Sequence, residues 1–223
     1  GFQLTDAGKH KRHNYAIYGN VALNPIEPLK LDFATRYEDY SAGVGDTLVF
    51  KGTGRYDFSD MIAVRGTAST GFRAPTLAET YYSATNVSPT SAFVQLPPGS
   101  AAARLVGVNG LTPEKSRNYS VGFVAHPGMG VTFTVDAYQI VIKDRIVGSG
   151  SLFGSGGSNN IPAVVAAIIA NGNALDPTVT QTGINIFTNG LNTRTRGVEA
   201  VLTMTSNFED YGSVNWSLIA NYN

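Results

Sequence analysis

The stretch RGTASTGFRAPTLAE (65–79) sets Arg65, Thr67, Ser69 and Arg73 at every second or fourth position and then breaks at Pro75. Guanidinium and hydroxyl groups in that pattern can pair charges or hold a ligand. They do not amount to a nucleophile with its base, or to a metal site. A helix would scatter these residues around its axis. A strand gathers them on one face and leaves Val64, Gly66, Ala68, Thr70 and Phe72 on the other. The rest of the chain adds no enzyme signal. His10 and His13 lie in a basic segment without a third ligand, His126 sits beside a turn, and there is no Gly-x-Ser-x-Gly elbow or His-rich metal motif. The expectation is a binding protein with no enzyme activity, no metal and no cofactor.

Composition narrows the class. Lys+Arg and Asp+Glu are both 16 in 223 residues, so the formal net charge is zero and no nucleic acid is expected as a partner. Charged residues are 14% of the chain, well below the ~25% of soluble domains. The 25 Gly, 11 Tyr and 11 Phe point to strands and turns. Without cysteine, no disulfide framework or thiolate site arises. No apolar run reaches the ~18 residues of a transmembrane helix; the longest, 161–170, is too short. The opening residues 1–14 are polar and show no signal peptide, so an exported protein would have lost one or the chain is part of something longer.

Alternation recurs in eight segments: 13–23, 29–40, 48–58, 62–74, 114–124, 131–146, 196–205 and 214–223. One face of these segments is apolar or Gly/Ala. The other carries Arg36, Glu38, Lys51, Arg55, Asp57, Arg65, Arg73, Glu114, Asp136 and Glu199. Short links (24–28, 59–61, 127–130, 207–213) alternate with 41–46 and two long segments, about 76–112 and 148–192. Short turns on one rim and long loops on the other are the pattern of outer-membrane barrels. Two structureless loops of that length would count against a compact soluble domain. Strand lengths near the ~9–11 residues that span a tilted wall point the same way. So do Tyr15, Tyr37, Tyr40, Phe58, Phe72, Trp216 and Tyr222 near strand ends, where they could form interfacial girdles. The expected fold class is all-β: an antiparallel up-and-down transmembrane β-barrel segment with long extracellular loops. A soluble β-sandwich binding module has the same alternation and stays open on pattern alone.

RGTASTGFRAPTLAE resembles the Arg-x-Ser strand running into Gly-Phe-Arg-Ala-Pro of TonB-dependent outer-membrane receptors. LTPEKSRNYSVGF (111–123) is similar to that family's Pro-Glu-Lys-Ser strand, VDAYQIVIKDRI (135–146) to its Asp-x-Tyr…Asp-Arg-Ile strand, and NTRTRGVEAVL (192–202) to its Thr-Arg-Gly-Val-Glu strand. LKLDFATRYEDYS (29–41) resembles a strand further upstream. The resemblance implies that residues 1–223 are a partial barrel domain, about eight strands of a barrel of about 22 around a plug. The plug, the energy-coupling box and a terminal aromatic strand are not seen here, and the first and last strands would be open edges. It implies energy-coupled uptake of a scarce nutrient (siderophore-iron, haem, cobalamin or oligosaccharide) at the bacterial outer membrane. The implied partners are the plug, an inner-membrane energy-coupling complex, outer-membrane lipid and lipopolysaccharide. A passive porin or a small structural barrel is the alternative within the membrane.

Within this frame Arg36, Glu38, Lys51, Arg55, Asp57, Arg65, Glu114, Asp136 and Glu199 are expected to line the lumen, mostly pairing across strands. Arg73, before the first long loop, and Glu79, Tyr81 and Tyr82 within it are the candidate ligand contacts. The basic AGKHKRH segment (7–13) is a candidate for lipopolysaccharide phosphates. The Gly/Ser-rich 148–160 is expected as a flexible loop. Residues 161–177 are expected to hold a short helix, with Pro162 in its first turn and Gly172 at its C-terminal cap.

Overall fold

The computed structural model describes residues 6–223, so the first five residues of the polar opening stretch lie outside it. All eight expected strands form. They are β1 (Asn14–Ile26), β2 (Leu29–Tyr40), β3 (Gly45–Ser59), β4 (Ile62–Arg73), β7 (Glu114–Gly128), β8 (Val131–Gly148), β10 (Gln181–Asn207) and β11 (Ser213–Tyr222). They join edge to edge, β1-β2-β3-β4-β7-β8-β10-β11, antiparallel throughout. No helix among the described residues is long and apolar enough to cross a membrane, which has no bearing on a wall made of strands.

The register keeps the two faces apart over the whole sheet. Val64 stands opposite Phe123, and Phe123 opposite Val135; Thr67 stands opposite Ser120, and Ser120 opposite Tyr138. Many apolar side chains of this wall are exposed, Phe50, Phe58, Val121 and Trp216 each by more than half. The wall therefore has no hydrophobic core of its own, and its apolar face has to be covered by lipid. Two of the seven rim aromatics are used within the protein instead. Tyr40 and Phe72 pack edge to face at 5.5 Å, and the Tyr40 hydroxyl donates to Glu38.

The two long connections are not structureless. The first contains helix α1 (Leu77–Tyr81), strands β5 (Ala84–Val87) and β6 (Ser91–Leu96), and helix α2 (Ala101–Leu105). The second contains β9 (Leu152–Ser155), inside the segment expected as a flexible loop, and α3 (Pro162–Ala170). Pro162 opens α3, and Gly172 follows it with φ of +88°. At 27 residues, or roughly 90 Å at the usual rise, β10 is far longer than a wall requires. Its lower part pairs with β8 and β11, and its upper part leaves the wall to pair with β6 and β9. Val94, Leu96, Ala102, Ala103, Val164, Ala167, Ile168, Ile184 and Ile186 bury one another there. Both long loops thus share one folded core above the wall.

Gly122 opens a lane across the charged face. It lies between Arg65 and Asp136 in register, and a Cβ there would come within 2.9 Å of Arg65 Nε and closer still to the Asp136 carboxylate. Only because that space is empty can Arg65 reach over β7 and make two hydrogen bonds to Asp136, at 3.0 and 2.5 Å. Gly122→Val is expected to push the pair apart and destabilise the protein by about 1–3 kcal/mol, measured by denaturant unfolding in detergent micelles. In an Arg65→Ala background the same substitution should cost clearly less. Equal costs in both backgrounds would show that the lane plays no part.

Candidate functional site

The opening motif becomes the hinge between wall and loops. Arg73 ends β4 directly opposite Glu114, the first residue of β7, and donates to it at 2.6 Å. Pro75 turns the chain, and Thr76 caps α1 through a reciprocal pair with Glu79: Thr76 Oγ1 accepts from the Glu79 amide, and the Glu79 carboxylate accepts from the Thr76 amide. This brings Glu79 back onto Arg73, whose guanidinium donates to both carboxylate oxygens at 3.0 and 3.1 Å. Glu114 Oε1 also accepts from the Ile146 amide on β8 at 2.8 Å. One guanidinium thus ties β4, β7, β8 and α1 together. Arg73 and Glu79, expected as ligand contacts, are bonded to each other in this brace, and the Arg73 side chain keeps part of its surface exposed.

The other two expected contacts, Tyr81 and Tyr82, line a cleft of about 840 Å³ at the rim, with His10, Ser83, Pro97 and Asn109 among its walls. Tyr81 stacks flat on His10, centroids 3.8 Å apart. Tyr82, half exposed, also borders a second cleft of about 450 Å³ along β5 and β6. The basic opening segment docks here too. Arg12 donates to the Pro75 carbonyl and sits over the Tyr40 ring, and the His13 amide donates to Ser41 Oγ. Among the described residues, no group of three or more His, Asp or Glu is arranged to hold a metal.

The nine residues expected on the lumen side share the charged face by register. Seven are paired: Arg36 with Glu38, Arg55 with Asp57, Arg65 with Asp136, and Glu114 with Arg73. Lys30, on the same face, joins Asp57 at 3.2 Å. Lys51, opposite Ser69, and Glu199, opposite Asp136, form no ion pair among the described residues. Sequence reading missed Asn189 and Asn192. Asn189 exchanges hydrogen bonds with the backbone of Thr112 and donates to the Asp144 carbonyl, while Asn192 accepts from the Asp144 amide. They fix the bulge at Asp144, where β10 leaves the wall; the asparagines flanking Gly190 in NGLN were the available cue.

Burial pushes the Glu79 carboxyl up, but hydrogen bonds from Arg73 and Thr76 outweigh it and hold the group below the usual carboxylate value. Docking of α1 by Glu79 is therefore fully present above the ordinary carboxylate pKa and is lost as pH falls through the lowered folded value. A fluorophore on a cysteine introduced at position 78 should gain mobility between about pH 5 and about pH 3, read by anisotropy. Glu79→Gln should abolish that step. An identical step in the Gln variant would contradict the assignment.

Comparison with known proteins places this geometry. The family model for the TonB-dependent receptor-like β-barrel matches residues 2–223. Among solved structures, the siderophore receptor PirA of Acinetobacter baumannii superposes with a TM-score of 0.64 at 19% identity, over 95% of this chain and 27% of that one. The ferric enterobactin receptor PfeA of Pseudomonas aeruginosa gives 0.65 at 15% identity, over 97% and 28%. The RagAB peptide transporter gives 0.61 at 13% identity, over 95% and 22%. No curated protein sequence matched the chain. These identities establish the fold alone, and the chain spans about a quarter of the length of the receptors it matches. With a family match over nearly the whole chain and an antiparallel wall like theirs, this chain belongs to the TonB-dependent receptor β-barrel family of the bacterial outer membrane.

Proposed function

We propose that the chain forms part of an outer-membrane receptor that takes up a scarce nutrient, such as siderophore-bound iron, haem, cobalamin or an oligosaccharide, with energy supplied from the inner membrane. The family match over residues 2–223 carries this reading. Geometry supports it in two ways. The loops form a packed unit with a rim cleft of about 840 Å³, large enough for a small-molecule ligand, which Tyr81 and Tyr82 can contact through their rings. The charged face is proposed to line the lumen. There the paired residues hold the wall, and Lys51 and Glu199 are free to meet the ligand or a plug domain. Direct ligand contact is assigned to Tyr81 and Tyr82, and a positioning role to Arg73 and Glu79, which set the height and angle of α1.

A plug domain, the inner-membrane energy-coupling complex, and surrounding lipid and lipopolysaccharide are the proposed partners. Among the described residues no arrangement calls for covalent chemistry. Gated binding and release need only differential contacts in two states of the receptor.

The test is uptake by cells carrying the intact receptor, scored with radiolabelled ferric siderophores, haem, cobalamin and oligosaccharides. Uptake of one of these should saturate, fall to background after a protonophore, and weaken severalfold in Tyr82→Ala, with Arg73→Ala reducing it through a misplaced α1. Non-saturable flux that survives the protonophore would favour a passive pore and overturn the receptor reading.

A further inference from the structure

The small sheet built by the two long connections has faces of different chemistry. Strand β6 pairs with β5 on one side and with the upper part of β10 on the other. Val94, Leu96, Ile184 and Ile186 bury one face of these strands against α2 and α3. By alternation Phe93, Gln95 and Asn185 stand on the opposite face. Gln95 lies between Ala84 and Asn185 in register, and Phe93 lies beside Asn86. Together with Tyr82 these residues line the cleft of about 450 Å³.

Every wall of this cleft comes from the two long connections, and no Lys, Arg, Asp or Glu is among them. Its polar groups are mostly primary amides. Gln95 Nε2 is buried without a hydrogen-bond partner among the described residues. The Asn86 side chain has none among them either, and Asn185 uses only its oxygen, which accepts from Ser151 Oγ at 3.4 Å. An unmet buried donor costs stability, and its retention in a cleft calls for a partner from outside the fold. The last torsion of glutamine is soft, so the amide can turn toward such a partner.

These groups constrain the occupant. An anionic ligand would bring charge into a cleft that offers nothing to pair it. An extended peptide adds to the edge of a sheet, whereas these amides and rings stand on its face. A neutral, hydroxyl-rich ligand meets amides that both donate and accept, while the rings of Tyr82 and Phe93 can cover its apolar C–H faces. A sugar ring has both features.

We propose that the cleft along β5, β6 and β10 binds a sugar unit of a neutral oligosaccharide, and that this oligosaccharide is the cargo. Asn86, Gln95 and Asn185 take its hydroxyls. Tyr82, which borders both clefts, stacks on a ring face where the chain passes into the rim cleft. The cargo assignment rests on the receptor reading above; binding at the cleft does not.

The experiment is isothermal titration calorimetry on the intact receptor in nonionic detergent. The ligands are neutral hexasaccharides of glucose, xylose and mannose, with oligogalacturonate, a ferric catecholate and a tryptic peptide mixture for comparison. At least one neutral hexasaccharide should bind more tightly than any comparison ligand. Gln95→Leu should weaken that binding at least about tenfold while the unfolding temperature stays the same or rises, because the substitution removes an unmet donor. Asn86→Ala should weaken it too, and Tyr82→Phe should keep most of the affinity, since the ring remains. Equal sugar affinity in wild type and Gln95→Leu would overturn the site. Tighter binding of the peptides, the ferric catecholate or oligogalacturonate, or no binding of any neutral hexasaccharide, would overturn the sugar assignment. A sugar that binds through Gln95 but shows no protonophore-sensitive uptake by cells would leave the site standing and overturn the receptor reading instead.

Discussion

The structure depends on the requirement that a backbone crossing lipid must find all its hydrogen-bond partners in neighbouring strands, because the hydrocarbon offers none. This forces extended neighbours in continuous register, and the pleat then sends successive side chains to opposite sides. From β1 to β11 the register holds Val64, Val121 and Val135 on one side and Thr67, Ser120 and Asp136 on the other. Once the outer side is given to lipid, every charge the wall carries has to face the other way or sit at the interface. On the charged face the chain answers with pairs. Arg65 reaches across the gap left by Gly122 to Asp136, and Arg73 is held between Glu79 and Glu114.

The same requirement separates wall from loops. The wall needs no hydrophobic core, since its apolar side is solvated by lipid. Above the membrane, lipid no longer covers apolar side chains, and the chain there folds as ordinary protein does. Ile184 and Ile186 of β10 bury themselves against Val94, Leu96 and Ile168 from both long connections. The buried Asn173 side chain ties the second connection to Thr85 of the first, at 3.0 Å. Because the two connections share a core, movement of one must carry the other. Arg73 is one polar link between the wall and the first connection, through Glu79 of α1 and Glu114 of β7.

The wall strands were legible in the sequence because period-two alternation is a direct physical consequence of having two different solvents on the two sides. The five family-like motifs added order along the chain. The loops were less legible. SAFVQL (91–96) and QTGINIF (181–187) are short, and their pairing is parallel and joins residues about ninety apart, which no local pattern records. GSGSLFGSGG reads as linker by composition, yet Leu152 and Phe153 pair with Ile184 and Gly183. At the site, the sequence grouped Arg73, Glu79, Tyr81 and Tyr82 as candidate contacts but could not divide them. Arg73 and Glu79 stand six apart across a proline, and only the capped turn of α1 reveals that they face each other while Tyr81 and Tyr82 border the cleft.

Everything else in the wall follows from which of its faces meets lipid, and with no cysteine among these 223 residues an introduced thiol is unique within this stretch. Single cysteines at Val64, Ala68, Val121 and Phe123, and at Thr67, Ser69, Asn118 and Ser120, would each be spin-labelled in the intact receptor in outer-membrane vesicles. Collision with dissolved oxygen, which partitions into lipid, would be compared with collision with a water-soluble nickel complex. The first four labels are expected to favour oxygen and the second four nickel, in strict alternation along β4 and β7. Nickel access at Val64, Ala68, Val121 and Phe123, or no alternation at all, would contradict it.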